Sequence, residues 1–457
     1  MMREGKLQIF DPVSIAVIGA GESPGKIGSG LCKSLNTAFT GKIFYVNPRH
    51  AELYGQTCYR SVAELPEVPT HAVIAVVRDY VPETLRQCAD RGIRNVIVIS
   101  SGFKEADAKG AALETEMTAL CREKGMTLLG PNTLGLINNR LDLNCTFLPG
   151  LPAKGNISVV SQSGGVGIAL VSALEDRGEG IAKWAGIGNE AGLTAGELLD
   201  FLEDDDDTRA IGVCLEGMED IDAFLETAGR VDRKKPVVIL RDGLTPAGVR
   251  AAVGHTGSRI LDAAEAGKKI EEAGLIEAHS CREAAAMLKA LSCSQRLPRG
   301  NKVLMLTNTV GPAILTADSL ERSGLTVPLP SEELRKMTDE AIGRSVGLEN
   351  PADISSVGLV PANYGRAAET MLASDEFDIL IGYFTMNPHL LLPDRELAEA
   401  AEKAGKPAVA CFLGNQRAFE AYDRYPETYG IPCYCDPEDA AAAVKALVKR
   451  AEGLGRE

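Results

Sequence analysis

Paired cysteines, long apolar runs and an excess of positive charge are all missing from this 457-residue sequence. Its eleven cysteines never take the CxxC spacing of zinc sites and redox pairs, and Cys433 and Cys435 are the nearest two. That pattern argues against a zinc module or a disulfide framework and leaves reduced thiols in and around a core. No stretch approaches the roughly 20 consecutive apolar residues of a membrane span. The start, MMREGKLQIFDPVSIAVIGAG, lacks the basic segment, apolar run and small-residue cleavage site of a signal peptide. A cytoplasmic protein without a membrane partner is expected. Lysine and arginine total 48 against 63 aspartates and glutamates, a formal charge of −15. This argues against a nucleic-acid partner, because phosphate backbones need clustered cations. A small anionic ligand stays compatible, since helix N-termini hold phosphate even in an acidic protein.

What is present describes a globular α/β chain. Apolar residues make up 45% and charged residues 24%, ordinary values that suit a packed core. The length suits about three domains. From Ser14 the runs SIAVIGA, KIFYVNP, HAVIAVV and NVIVIS each precede a helical pattern. Continuous Val/Ile runs, rather than strict alternation, predict strands covered on both faces and hence parallel sheets flanked by helices. The turn-rich FLPGLPAKGN, Phe147 to Asn156, closes this series, and NISVVSQSGG opens a second that continues through AIGVCLEG and PVVILRDG. A linker, SCSQRLPRGN, leads from Ser292 to a third series containing NKVLMLTNTVG, FDILIGYF and PAVACFLGN. The expected domains are 1–148, 149–296 and 297–457. The acidic run Glu203 to Asp207 reads as a solvated turn, because contiguous carboxylates cannot all point at one ion. No metal site is expected.

The first strand ends in Gly19-Ala20-Gly21-Glu22-Ser23-Pro24-Gly25-Lys26-Ile27-Gly28. Glycines there let the backbone turn tightly and approach a phosphate at the N-terminus of the next helix. The spacing is G-x-G-x-x-x-G, and the second strand ends in Val46-Asn47-Pro48 where a dinucleotide site carries an acid for the ribose. NAD is therefore disfavoured. Nor is the loop a Walker motif, since Ile27 follows Gly25-Lys26. Ser100-Ser101-Gly102-Phe103 and Gly130-Pro131-Asn132 also follow strand-like runs, at the edge where open parallel sheets bind ligands.

Histidine occurs five times, and only His255 lies in a glycine-bounded polar turn, Gly254-His255-Thr256-Gly257-Ser258, expected to open a helix. Such a residue can offer one ring nitrogen as a nucleophile if the other is held. Glu216, after a predicted strand, is a carboxylate able to orient it. Ser161-Gln162-Ser163-Gly164-Gly165 follows the strand ISVV and opens an amphipathic helix, so its amides and hydroxyls suit an anion. Together these elements predict a phosphohistidine cradle. A hydrolase nucleophile elbow is the rival reading, but its G-x-S-x-G pattern has Ser161 at the first glycine and no HGGG-type loop is present.

Taken jointly and in order, GAGESPGKIG, VNP, ISSGFKE, GPNTLG, SQSGG, LEG, GHTGS and NPADIS resemble the α subunit of NDP-forming acyl-CoA synthetases, relatives of succinyl-CoA synthetase. The resemblance covers nearly the whole chain. It implies a Rossmann-like CoA-binding domain followed by two flavodoxin-like domains. It also implies reversible conversion of acyl-CoA, phosphate and NDP to a carboxylic acid, CoA and NTP, through an acyl phosphate and a phosphohistidine at His255. Under that resemblance Glu216 holds the histidine and Gln162, Ser163 and Gly164 bind phosphate. Gly19 to Lys26 receive coenzyme A, while Asn132 and the segment Val46-Asn47-Pro48 line the thioester channel. ATP/ADP or GTP/GDP with Mg would bind an ATP-grasp β subunit in an α2β2-type assembly. Departures from the family pattern are Gly254 for Ser, Thr133 for Cys, Thr309-Val310 for Ala-Gly, and Gly192 for the Asp of GNxAD. The alternative is a non-catalytic acyl-CoA-binding or regulatory subunit.

Overall fold

Buried β-branched runs build the sheets. In the computed structural model, which describes residues 7–217, 220–256, 262–387, 389 and 391–455 and the side chains of these except 7, 253–256 and 416, the first sheet contains seven strands. They are β1 (Ser14–Ile18), β2 (Lys42–Val46), β3 (Glu52–Leu53), β4 (Gln56–Tyr59), β5 (His71–Ile74), β6 (Asn95–Val98) and β7 (Thr127–Leu129). Their order is β3-β4-β2-β1-β5-β6-β7, all parallel except β3 against β4. Strand order reverses at β1, whose neighbours are β2 and β5. This switch point opens a crevice at the carboxyl ends, where the glycine loop lies. Ala16, Ile18, Ile74, Val96 and Val98 pack under the helices Val81–Arg91 and Ala108–Glu123, whose apolar faces supply Leu85, Cys88, Met117 and Cys121. Each large aliphatic side chain buried there contributes about 1.5–3 kcal/mol.

A hairpin of β8 (Gly135–Asn138) and β9 (Leu143–Thr146) leads into β10 (Lys154–Ser161), β11 (Ile181–Gly186), β12 (Ala210–Leu215) and β13 (Val237–Arg241). These six run in the order β13-β12-β10-β11-β8-β9, with β8 antiparallel to β11 and the four longer strands parallel. The second sheet thus takes its edge hairpin from residues before the expected boundary at 148.

The acidic run has a definite task. Lys183 on β11 is 2% exposed. Its ammonium lies 2.7 Å from Asp205 and 2.8 Å from Asp207, while Glu203 pairs with Arg230 and Lys234. The turn is therefore only partly solvated, because a buried ammonium requires carboxylate partners.

The chain divides into two units, residues 1–175 with 179–273, and 176–178 with 274–457. The second unit contains β14 (Ile276–Ala278), β15 (Val303–Thr307), β16 (Ala352–Asp353), β17 (Ile379–Thr385), β18 (Ala408–Leu413) and β19 (Cys433–Tyr434). Its five-stranded parallel sheet has the order β16-β15-β17-β18-β19. Phe384 packs in its core between Tyr364 and Phe412, each ring tilted against it with centroids 5.2 Å apart. The fold is α/β with three mostly parallel sheets, as the apolar runs predict. No helix among the described residues is long and apolar enough to cross a membrane.

Candidate active site

The glycine loop leaves β1 at the switch point. Gly19 has φ +92°, and a Cβ there would lie 2.4 Å from the Ala75 carbonyl oxygen, so only glycine allows this approach to the end of β5. At Gly28 a Cβ would fall 2.0 Å from the Gly19 oxygen, which fixes the helix Ile27–Ala38 against the turn. Ala20 is buried, Gly21 is half-buried, and Ser23, Pro24, Gly25 and Lys26 are exposed. Around Gly25 no atom would come within 4 Å of a Cβ. No side chain caps the helix N-terminus at Lys26. The result is an open cradle with a positive dipole end, which fits a diphosphate. Asn47 donates from Nδ2 to the Ala20 carbonyl at 2.8 Å, so its carboxamide braces the loop, and Pro48 beside it is exposed. Glu22, within the glycine segment, and Tyr54, which sequence reasoning missed, fold the β3–β4 turn over the loop: the Tyr54 amide donates to the Glu22 carboxylate, and its hydroxyl to Gly21 O at 3.3 Å.

Two further loops converge beside it. Ser101 is exposed, and Gly102 has φ +99°. The amides of Gly102 and Phe103 donate to the Glu105 carboxylate at 2.5 and 3.1 Å. Asn132, at φ +58°, donates its backbone N–H to Ser100 O at 2.9 Å, joining the loops. Its Nδ2 donates to Asn189 Oδ1 at 3.1 Å, and Asn189 Nδ2 donates to Glu105 at 2.6 Å and Glu114 at 2.8 Å. Thr133, standing where the family pattern has Cys, donates to Gly186 O at 2.6 Å and accepts from the Gly135 amide.

The serine loop closes β10. Ser161 is buried and donates to Ser163 O at 2.5 Å, while Ser163 Oγ accepts from the Val166 amide at 3.4 Å. Gly164 opens the helix Gly164–Glu175, and a Cβ there would lie 2.6 Å from Leu134 Cγ; Gly165 faces open space. Gln162 is engaged with protein groups throughout. Its Nε2 donates to Glu190 and to Gly217 O, both at 2.8 Å, and its Oε1 accepts from the amides of Glu216 at 2.6 Å and Gly217 at 3.2 Å. The serine loop and the Glu216 strand end are thus brought together, through a side chain expected to touch phosphate.

His255 sits differently from the sequence expectation. Its backbone lies in the last turn of the helix Pro246–Thr256, not in a turn that opens one. The Arg-Ala-Ala-Val stretch before it carries the helix through Gly254, whose cost in a helix interior is only about 1 kcal/mol. The His255 side chain, and residues Gly257 and Ser258, lie outside the described residues.

A cavity of about 780 Å³ in the first unit is lined by Lys104, Glu114, Asn189, Glu190, Gly217 and others, one side chain away from the serine loop. Burial raises the Glu190 carboxyl above its ordinary range, against hydrogen bonds from the Ala195 amide and Gln162. Gly192 is wedged against β7: a Cβ there would lie 2.2 Å from Leu128 O. An Asp at 192 cannot be seated on this backbone, and Glu190 supplies a carboxylate two residues earlier. Sequence reasoning missed Glu105, Asn189 and Glu190. Their position after strand ends at a ligand-binding sheet edge was the available signal.

Residues 13–139 match the CoA binding domain family, and residues 154–291 the succinyl-CoA ligase like flavodoxin domain family. The chain is 34% identical over 459 residues to the acetate–CoA ligase [ADP-forming] II subunit alpha of Pyrococcus furiosus, covering 98% of both. It is 31% identical to the 4-hydroxybutyrate–CoA ligase [ADP-forming] of Nitrosopumilus maritimus over 76% of this chain, and spans 50% of that protein. Among solved structures, a Ca. Korarchaeum cryptofilum acetyl-coenzyme A synthetase 1 in complex with phosphate and ADP matches with TM-score 0.84 and 31% identity, covering 98% of this chain and 97% of that one.

Proposed function

The chain belongs to the ADP-forming acyl-CoA synthetases as an α subunit, and from that premise we propose that its three α/β segments, 1–148, 149–296 and 297–457, serve one phosphoryl relay centred on His255. Near-full-length likeness to ligase subunits sets aside the non-catalytic regulatory reading. The observation that carries the relay is the union of the serine loop with the Glu216 strand end through Gln162, one sheet edge from the loops that suit CoA.

Coenzyme A lies along Gly19–Lys26, with Asn47, Pro48, Ser101, Gly102 and Asn132 lining its path. Phosphate sits at the N-terminus of the helix Gly164–Glu175, against Ser163, Gly164 and Gly165, where the helix dipole favours an anion, while the buried Ser161 hydroxyl braces the loop through Ser163 O rather than touching phosphate. A phosphate oxygen attacks the thioester carbonyl, the C–S bond breaks, and CoA leaves as its thiol. A ring nitrogen of His255 then attacks phosphorus, and the P–O bond to the acyl group breaks to release the carboxylate. Glu216 orients the imidazole and stabilises its cationic form. A nucleoside diphosphate takes the phosphoryl group from nitrogen, bound with Mg on a separate ATP-grasp β subunit in an α2β2-type assembly in the cytoplasm. Gln162 acts by bracing the loop, since its carboxamide is committed to protein groups.

The test is assembly with an ATP-grasp partner and assay with acyl-CoA, ADP, Mg and inorganic phosphate. ATP should form in proportion to thiol released, and only when all are present. Thiol release independent of phosphate would instead point to a hydrolase.

A further inference from the structure

Among the described residues of this region, Glu190 combines a left-handed backbone with a half-buried carboxylate at the cavity wall. It has φ +57°, a left-handed conformation that a side chain with a Cβ adopts only where its surroundings hold it. Its two carboxylate oxygens each accept one bond, Oε1 from the Ala195 amide at 2.6 Å and Oε2 from Gln162 Nε2 at 2.8 Å. The amides of Glu216 and Gly217 demand an acceptor from Gln162, and Glu190 demands a donor. Only one orientation of the Gln162 carboxamide satisfies both. The residue before Glu190 is Asn189, whose side chain joins Glu105, Glu114 and Asn132. One dipeptide therefore holds the serine loop with one side chain and the loops that suit CoA with the other.

We propose that Glu190 is a positioning residue that, acting through Gln162, sets the serine loop against the Glu216 strand end, so that phosphate affinity depends on a carboxylate that touches no phosphate. The proposal rests on the reading of that loop as the phosphate site. A glutamine at 190 offers one acceptor and one donor where two acceptors are needed, and turns an N–H toward either Ala195 N or Gln162 Nε2. Either way one of the two bonds that tie residue 190 to its surroundings is lost, and Gln162 is left braced only by its bonds to Glu216 and Gly217 when that bond is its own.

The experiment compares the wild type with Glu190→Gln and Glu190→Asp, each assembled with the partner subunit, varying inorganic phosphate. In Glu190→Gln the KM for phosphate should rise about tenfold, the equivalent of one lost orienting hydrogen bond. Calorimetric CoA affinity should stay within about twofold, since the cradle at Gly19–Lys26 is untouched. Glu190→Asp keeps the charge on a shorter arm and should recover part of the loss. An unchanged phosphate KM in Glu190→Gln, or parallel loss of phosphate KM, CoA affinity and thermal midpoint, overturns the proposal. If the wild-type complex itself cleaves acyl-CoA without needing phosphate, the underlying reading fails and this one with it.

Discussion

Single residues carry the sharpest tests of how the loops are held. Gly192 occupies a position where any Cβ meets the Leu128 backbone, so Gly192→Asp must displace the loop from β7. Such overpacking should destabilise the first unit by about 2 kcal/mol, read as a lower urea midpoint with unchanged slope; an unaltered midpoint would mean that this loop yields freely. At Glu190 the sign follows from burial. The raised pKa means that the ionised form is penalised by the fold, with Lys104 lowering and Glu197 raising the value. Its contribution to stability is therefore greatest at low pH and is lost as pH rises through the folded value. Function runs the other way, because protonation places an O–H against a donor. Phosphate KM should climb as pH falls toward the acid side, with a midpoint above the ordinary carboxylate range, and Glu190→Gln should lack that limb.

At the scale of elements, the parts that were legible in the sequence are those in which the backbone itself dictates the residue. At Gly19 and Gly28 a Cβ would fall 2.4 and 2.0 Å from a neighbouring carbonyl oxygen, and at Gly164 2.6 Å from Leu134, so only glycine fits and the spacing announces the loops. Apolar runs announced β1, β5 and β6 for the same local reason. The Asn189–Glu190 bridge stayed hidden because its partners are distant, Glu105 lying 84 residues and Gln162 28 residues away. The acidic run looked solvated because Lys183, which it neutralises, lies about 20 residues earlier on another element. His255 was misplaced relative to its helix because the flanking glycines outweighed the helix-forming residues before them. Strand β5 carries a further consequence. Burial pushes the His71 imidazole down to about 4 from 6.5, against the opposing influence of the Gln8 and Ile9 backbone. A base with a depressed folded pKa stabilises fully above pH 6.5 and loses that contribution as pH falls toward 4, on the order of 3 kcal/mol. His71→Asn should flatten the stability profile between those values, measured by denaturant titration; an identical slope would show that other groups set the acid limit.

For the whole molecule, the proposed relay needs a nucleotide that none of the sites described here receives. Relatives differ in length: the chain covers 98% of the Pyrococcus furiosus alpha subunit but 50% of the Nitrosopumilus maritimus ligase. A separate ATP-grasp subunit is the arrangement proposed for this chain, and His255 is the only residue asked to carry phosphate between the two active sites. The most direct measurement is therefore made on the assembled complex incubated with γ-labelled ATP and Mg, then denatured and split into acid- and base-treated halves. Label on this chain that survives base, is released by acid and is absent in His255→Ala is the expected result. Undiminished label in His255→Ala would contradict the relay.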